Sequence, residues 1–318
     1  MGGTAAAPGG SAGGSPGREH ADPVALGAVH WPARRTVIDG IELNVREVPD
    51  AAPDVPHALC VHGLGGSSLG FTAIGHLLAD VVRAVAIDLP GFGQSPPPGA
   101  PWGITEHARL VQNFATAELD TPLHLMGNSM GGAIAVQIAA RRPDLVRTLT
   151  LVSPALPDPR PSLAGAWFAA MAVPKLGPAM LRRSLMLPLE RRLEVGMSMI
   201  FGDHSKLPRA VIDAYEAELR RRDTMPHVAD ALLAGARSVV LASLAPASRS
   251  LWAEAAKVRC PVLLVYGGKD RLIDARIRNR AQAAFRDARL LFLPASGHVA
   301  QIEHPAEVAR AFRQLIRA

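Results

Sequence analysis

An alternation of short apolar runs with helical segments constrains this chain most. Ala58–Val61, Val81–Leu89, Leu123–Gly127, Val146–Val152, Pro261–Gly267 and Leu290–Leu293 are dominated by aliphatic residues. Between or after them lie Leu69–Ala79, Thr105–Leu119, Met130–Arg142, Ala275–Phe285 and Ala306–Ile316, with apolar residues at helical spacing. Continuous apolar runs are the mark of strands covered on both faces, and helices between them make those strands parallel. A hairpin is expected upstream, where Arg34–Asp39 and Ile41–Val48 flank Asp39-Gly40. Thr105 is placed to cap the helix that it begins.

The alternation stops after Ser153. Residues 154–247 read as helical, rich in Met and Leu and interrupted by Pro174, Pro178, Pro188 and Pro208. They are expected to form an insertion between two parts of one core, residues 34–153 and 248–318. Residues 1–17 hold mainly Gly, Ala, Ser and Pro, with almost nothing to bury, so residues 1–33 are expected to be a disordered extension.

Composition narrows the function classes. The net charge of +6 across 318 residues comes mostly from scattered arginines, without the tract or motif of a nucleic-acid binder. Short clusters such as Arg220-Arg221-Arg222 read as solvated helix faces. Cys60 and Cys260 lie in apolar runs and read as free thiols; no CxxC or HExxH spacing supports a metal, and none is expected. The chain shows neither a signal-peptide pattern nor a run long enough to span a bilayer. A cytoplasmic monomer or homodimer is expected, with no nucleic-acid partner and no stable membrane insertion.

Three loops at the ends of apolar runs carry the chemistry. Gly127-Asn128-Ser129-Met130-Gly131 fits G-x-S-x-G between a strand and a helix, where a sharp turn exposes a nucleophilic hydroxyl. His62-Gly63-Leu64-Gly65-Gly66 follows an earlier strand. The Leu64 and Met130 N–H groups are the candidate oxyanion donors; His62 itself reads as a structural part of its loop. Asp270 follows the strand ending at Gly267, whereas Asp274 reads as a helix cap. Among eleven histidines, His298 alone follows a strand and a loop at the right place. The chain order is then Ser129, Asp270, His298. Gly63, Asn128 and Val299 flank these residues and are candidates for substrate contact. His304 is expected to open the last helix, ahead of Pro305.

From about residue 34 to the end, these pieces resemble the α/β-hydrolase family. The resemblance rests on His62–Gly66, Asp88–Ser95, Gly127–Gly132, Gly267–Asp270, and Ser296–His298 with Glu303-His304-Pro305. It implies an α/β architecture: a mostly parallel eight-stranded sheet, helices on both faces, and a helical cap inserted after the sixth strand. It also implies a catalytic triad of Ser129, His298 and Asp270 that needs no cofactor. Asp88 and its glycines look structural in that family, shaping a loop near the pocket. The elbow Gly-Asn-Ser-Met-Gly-Gly is similar to that of hydrolases acting on meta-ring-fission products. Those carry Trp after the histidine, where this chain has Val299, and a different oxyanion loop. Dehalogenases and epoxide hydrolases of the fold use an Asp nucleophile, where this chain has Ser129. Hydrolysis of a small-molecule ester with an apolar acyl group is the leading expectation. C–C bond hydrolysis or perhydrolysis, and ligand binding with little turnover, are the alternatives.

Overall fold

Eight strands form one sheet in the order β1-β2-β4-β3-β5-β6-β7-β8. The computed structural model describes residues 1–2 and 31–317; most of the expected N-terminal extension lies outside the described residues. Within that extension Trp31 is buried against Gly75, and its carbonyl accepts a 2.5 Å hydrogen bond from Arg46. The core therefore reaches back past the expected boundary.

β1 (Ala33–Ile38) and β2 (Ile41–Glu47) pair antiparallel through Asp39 and Gly40, whose φ values of 53° and 77° fit the predicted tight hairpin. β3 (His57–Val61) follows, then a 3₁₀ turn (Ser68–Phe71) and α1 (Thr72–Leu77), where one helix was expected. β4 (Arg83–Ile87) and α2 (Ile104–Glu118) come next. Gly103, not Thr105, caps α2: its N–H donates to Glu106 at 2.9 Å. The unit β5 (Leu123–Asn128), α3 (Met130–Arg141), β6 (Val146–Val152) matches the expectation closely.

The helical insertion comprises α4 (Leu163–Ala170), α5 (Leu176–Leu185), α6 (Leu189–Ile200), α7 (Arg209–Asp223) and α8 (Val228–Ser243). A short α9 (Leu251–Ala255), which the sequence did not announce, returns the chain to β7 (Val262–Gly267). A 3₁₀ turn (Ala275–Ile277) and α10 (Arg278–Ala284) lead to β8 (Ala288–Leu293). The chain closes with α11 (Ala300–Glu303) and α12 (Pro305–Ile316), which His304 precedes as expected. Cys60 is buried on β3; Cys260 is only half-buried and stands just before β7, outside the strand expected to hold it. No helix among the described residues is long and apolar enough to cross a membrane.

Both faces of the sheet are covered. Successive residues of β7 alternate: Leu264 joins the larger core with α3 and α9, while Leu263 and Val265 join the other with Ile74 of α1 and Phe312 of α12. In α12, Val308, Phe312 and Leu315 form the buried stripe. From β3 rightward every neighbouring pair is parallel. The register sets Val61 beside Gly127, Asn128 beside Val152, Val152 beside Val265 and Gly267 beside Leu293. The carboxyl ends of β3, β5, β6, β7 and β8 therefore form one edge. The strand order reverses about β3, and ligands of open α/β sheets bind at such a switch point.

Two histidines in this core are held neutral. Burial lowers the pKa of His107 to about 3, with His62 adding to the effect. Burial, then Arg147, lowers that of His124 to about 4. The unfolded chain binds protons that the native state refuses between the ordinary value of 6.5 and these values. Stability is therefore expected to fall as pH drops from 6.5 toward 4. The His107 Nδ1 has no hydrogen-bond partner, so His107→Phe should fold and flatten this slope. Thermal melts of both proteins across that range check it; parallel slopes would refute the assignment.

Candidate active site

The turn between β5 and α3 places Ser129 at φ 55°, ψ −119°, a conformation that L-residues avoid unless their surroundings impose it. Its N–H donates to the Val152 carbonyl at 3.0 Å, and its carbonyl accepts from Ala133 and Ala155. A Cβ at Gly127 would overlap the Gly131 carbonyl, and one at Gly131 would overlap the Val61 carbonyl. Only bare backbone lets the strand, the turn and the helix approach this closely. A Cβ at Gly63 would stand 2.9 Å from that of Ser129, so the His62–Gly66 loop touches the elbow directly.

His298 and Asp270 meet across the ends of β8 and β7. The His298 Nδ1 stands 2.9 Å from Asp270 Oδ2. The other carboxylate oxygen accepts the backbone N–H groups of Leu272 and Ile273 at 2.8 and 2.9 Å. Burial pushes the Asp270 carboxyl up, but His298 and the Ile273 N–H outweigh it and hold the group below the ordinary carboxylate value. Asp270 is thus an anion that fixes the imidazole tautomer, with the Nδ1 proton on the ring and Nε2 free to accept. Asp274 instead accepts the Arg276 N–H at 2.9 Å as an N-cap.

Ser129 and His298 line one cavity of about 1640 Å³, together with Gly63, Leu64, Asn128, Met130 and Val299. Its wall is largely apolar, with Leu156, Phe168, Met171 and Val239 among the contributors. Among the described residues no hydrogen bond joins the Ser129 hydroxyl to the ring; such bonds in free enzymes commonly tighten only with substrate. The Asn128 carboxamide links the two sides by donating to the carbonyls of Val152 and His298 at 3.0 and 3.1 Å.

His62 is structural. Its Nδ1 lies 2.8 Å from the Gly63 carbonyl, and its Nε2 accepts the Leu89 N–H at 2.9 Å. Burial lowers its pKa and keeps the ring neutral. Asp88 is likewise a strut, accepting from Ser68, Asn44 and Gln94. The insertion is clasped to these loops by α7, where Arg221 donates to the Gly93 carbonyl and Arg222 to the Gly65 carbonyl, both braced by Glu218.

Glu303 is the residue of this site whose role the sequence did not reveal. Its two carboxylate oxygens accept the N–H groups of Gly297 and Gly202, each at 2.7 Å, and the His298 N–H donates to the Ile200 carbonyl at 2.7 Å. The histidine loop is thereby joined to the end of α6. The sequence offered it only as part of Glu303-His304-Pro305; its two short bonds are to backbone groups, with the Ser296 hydroxyl a third donor at 3.3 Å.

The family profile of the alpha/beta hydrolase fold matches residues 56–305, and the chain belongs to that family. It is 28% identical to a pimeloyl-[acyl-carrier protein] methyl ester esterase of Neisseria meningitidis, over 85% of this chain and 96% of the relative. It is also 28% identical to a haloalkane dehalogenase of Bradyrhizobium diazoefficiens, over 87% and 92%. A solved structure of a mutant of the protein DbjA superposes with a TM-score of 0.75 at 27% identity, covering 90% of this chain and 98% of that one. The chain is a hydrolase of this fold.

Burial pushes the Glu303 carboxyl above its ordinary value of 4.5, against the pull of its N–H donors. Glu303 thus contributes stability that is present below 4.5 and lost as pH rises through its folded value. Glu303→Gln leaves one backbone N–H facing an amide NH₂, which should cost about 1–3 kcal/mol. The gap between wild type and variant should narrow as pH rises, because only the wild type carries the titrating group. Denaturant titrations at acid and neutral pH measure it; a gap that widens would show the carboxylate to be favoured instead.

Proposed function

We propose that the chain is a serine esterase acting through an acyl-enzyme, with Ser129 as nucleophile, His298 as general base and Asp270 as the group that orients the histidine. The 2.9 Å contact between His298 and Asp270, at the wall of a cavity that Ser129 shares, carries this reading. His298 Nε2 takes the Ser129 proton as Oγ attacks the ester carbonyl; the alcohol leaves with that proton, and water, activated by the same nitrogen, releases the acid. Asp270 stabilises the imidazolium in both steps. The N–H groups of Leu64 and Met130 serve as the oxyanion donors.

Residue 129 favours ester over alkyl halide. Halide displacement by a serine oxygen would leave an ether, which water does not cleave, whereas acyl transfer to that oxygen leaves an ester that it does. The esterase relative supports the same choice. Residues 154–247 act as the cap, and their apolar lining suits an aliphatic or aryl acyl group. Asn128 and the residues around it keep the similarity to C–C hydrolases, but Val299 places an aliphatic side chain where those carry Trp.

Ser129→Ala should remain folded and lose at least ~10⁴-fold in kcat on p-nitrophenyl esters. Asp270→Asn should lose roughly 10⁴-fold through the wrong imidazole tautomer. Full activity in either variant would end the triad assignment. Across p-nitrophenyl esters of rising chain length, kcat/KM should increase beyond acetate; a preference for acetate over every longer chain would contradict an apolar acyl site. Faster turnover of a ring-fission dienol than of any ester would instead favour C–C hydrolysis.

A further inference from the structure

Outside the cavity, one stretch of the insertion combines exposed apolar side chains with charge of a single sign. Residues 159–189 contain Arg160, Lys175, Arg182 and Arg183 and no aspartate or glutamate. In the same stretch Leu163, Trp167, Leu176, Leu185, Met186 and Leu187 are exposed, Leu163 by 93% and Met186 by 85%. These are not residues left over from packing within the insertion. Phe168 of α4, Met171 just after it and Leu181 of α5 face inward and pack with Leu233 and Ala236 of α8. Leu163 and Trp167 stand one turn apart on α4, on one side of it. Lys175, Arg182 and Arg183 are exposed and form no ion pair among the described residues. The face also adjoins the cavity, because Trp167 belongs to both.

Exposed apolar area of this kind marks a surface that meets a partner, and the charge selects which one. A second copy would set cations against cations. A nucleic acid would match the charge but leave the leucines and methionine in water. An anionic bilayer matches both, with phosphate groups for the guanidiniums and an interfacial layer for the apolar side chains.

We propose that the outer face of α4, α5 and the turn after α5 docks reversibly on an anionic lipid surface. The edge of the cavity at Trp167 then lies against the bilayer. An apolar substrate dissolved in the membrane would enter there without crossing water. Adsorption itself requires no turnover and stands independently of the esterase reading.

The full chain should co-sediment with vesicles of phosphatidylcholine containing about one-third phosphatidylglycerol, and binding should weaken steeply as salt rises from about 50 to 500 mM. Arg182→Glu with Arg183→Glu should weaken it at least ~30-fold, and Leu163→Ser with Met186→Ser should weaken it at low and high salt alike. None of these four side chains lines the cavity. Circular dichroism melts of both double variants establish that they are folded. Absence of binding to the anionic vesicles, equal binding to pure phosphatidylcholine, or wild-type binding by the arginine variant would overturn the proposal. So would a wild-type dimer that Leu163→Ser with Met186→Ser dissociates in the absence of any vesicle binding, since the face would then belong to a second copy.

Discussion

The arrangement of the site depends on a strained peptide. Ser129 occupies a region of backbone space that its own side chain disfavours, at a cost of order 1–3 kcal/mol, and several independent contacts hold it there. The β-ladder fixes residues 127 and 128 against β3 and β6, and the Val152 carbonyl receives the Ser129 N–H. The missing side chains of Gly127 and Gly131 let α3 start without leaving the strand. A side chain at either glycine would collide with a carbonyl of the sheet or the helix, and the turn would have to open. Opening it would move the hydroxyl away from the edge where the histidine stands. The glycines and the serine are therefore one device.

Around that turn, buried and half-buried polar groups hold the neighbouring segments, chiefly by hydrogen bonds to backbone. His62 ties the β3 loop to the end of β4, Asp88 ties its own loop to Asn44 of β2 and to the turn at Ser68, Asn128 ties the elbow to β6 and to the histidine loop, and Glu303 ties that loop to α6. Loops cannot bury aliphatic residues as strands do, so a fixed loop geometry needs side chains that satisfy backbone donors and acceptors. Each tie uses a residue that a scan for catalytic groups would misread. A buried histidine beside the elbow resembles a base, and a half-buried glutamate beside the histidine loop resembles an acid. Their partners distinguish them: both His62 nitrogens are occupied, and both Glu303 oxygens are bonded to N–H groups, whereas His298 keeps one nitrogen free on the cavity side.

The difference between what was and was not legible follows from range. The core strands, α3 and the hairpin could be read because their signals lie within a few residues: an aliphatic run, a glycine at a turn, a helical stripe. The approach of Asp270 to His298 could be inferred from order alone, because parallel strands deliver their carboxyl ends to one edge. The start of α2 was misplaced because Glu106 serves the Gly103 backbone, which left Thr105 without the expected role. Cys260 was misplaced for a related reason: Pro261 cannot donate to the ladder, and the strand begins one residue later. The Glu303 ties and the α7 clasp were invisible because they join side chains to carbonyls and amides distant in sequence, and a backbone group carries no sequence label.

These invisible contacts make the insertion part of the site. The His298 N–H is bonded to the last turn of α6, Gly297 and Gly202 share one carboxylate, and Arg222 of α7 holds the Gly65 carbonyl of the His62–Gly66 loop. A displacement of α6 would pull on the backbone of His298, and a displacement of α7 on the His62–Gly66 loop. Both loops follow strands of the sheet, whereas their partners in these links belong to the insertion. The sheet thus sets where the insertion rests, and a ligand that wedges α6 or α7 outward would strain the His298 loop and the His62–Gly66 loop.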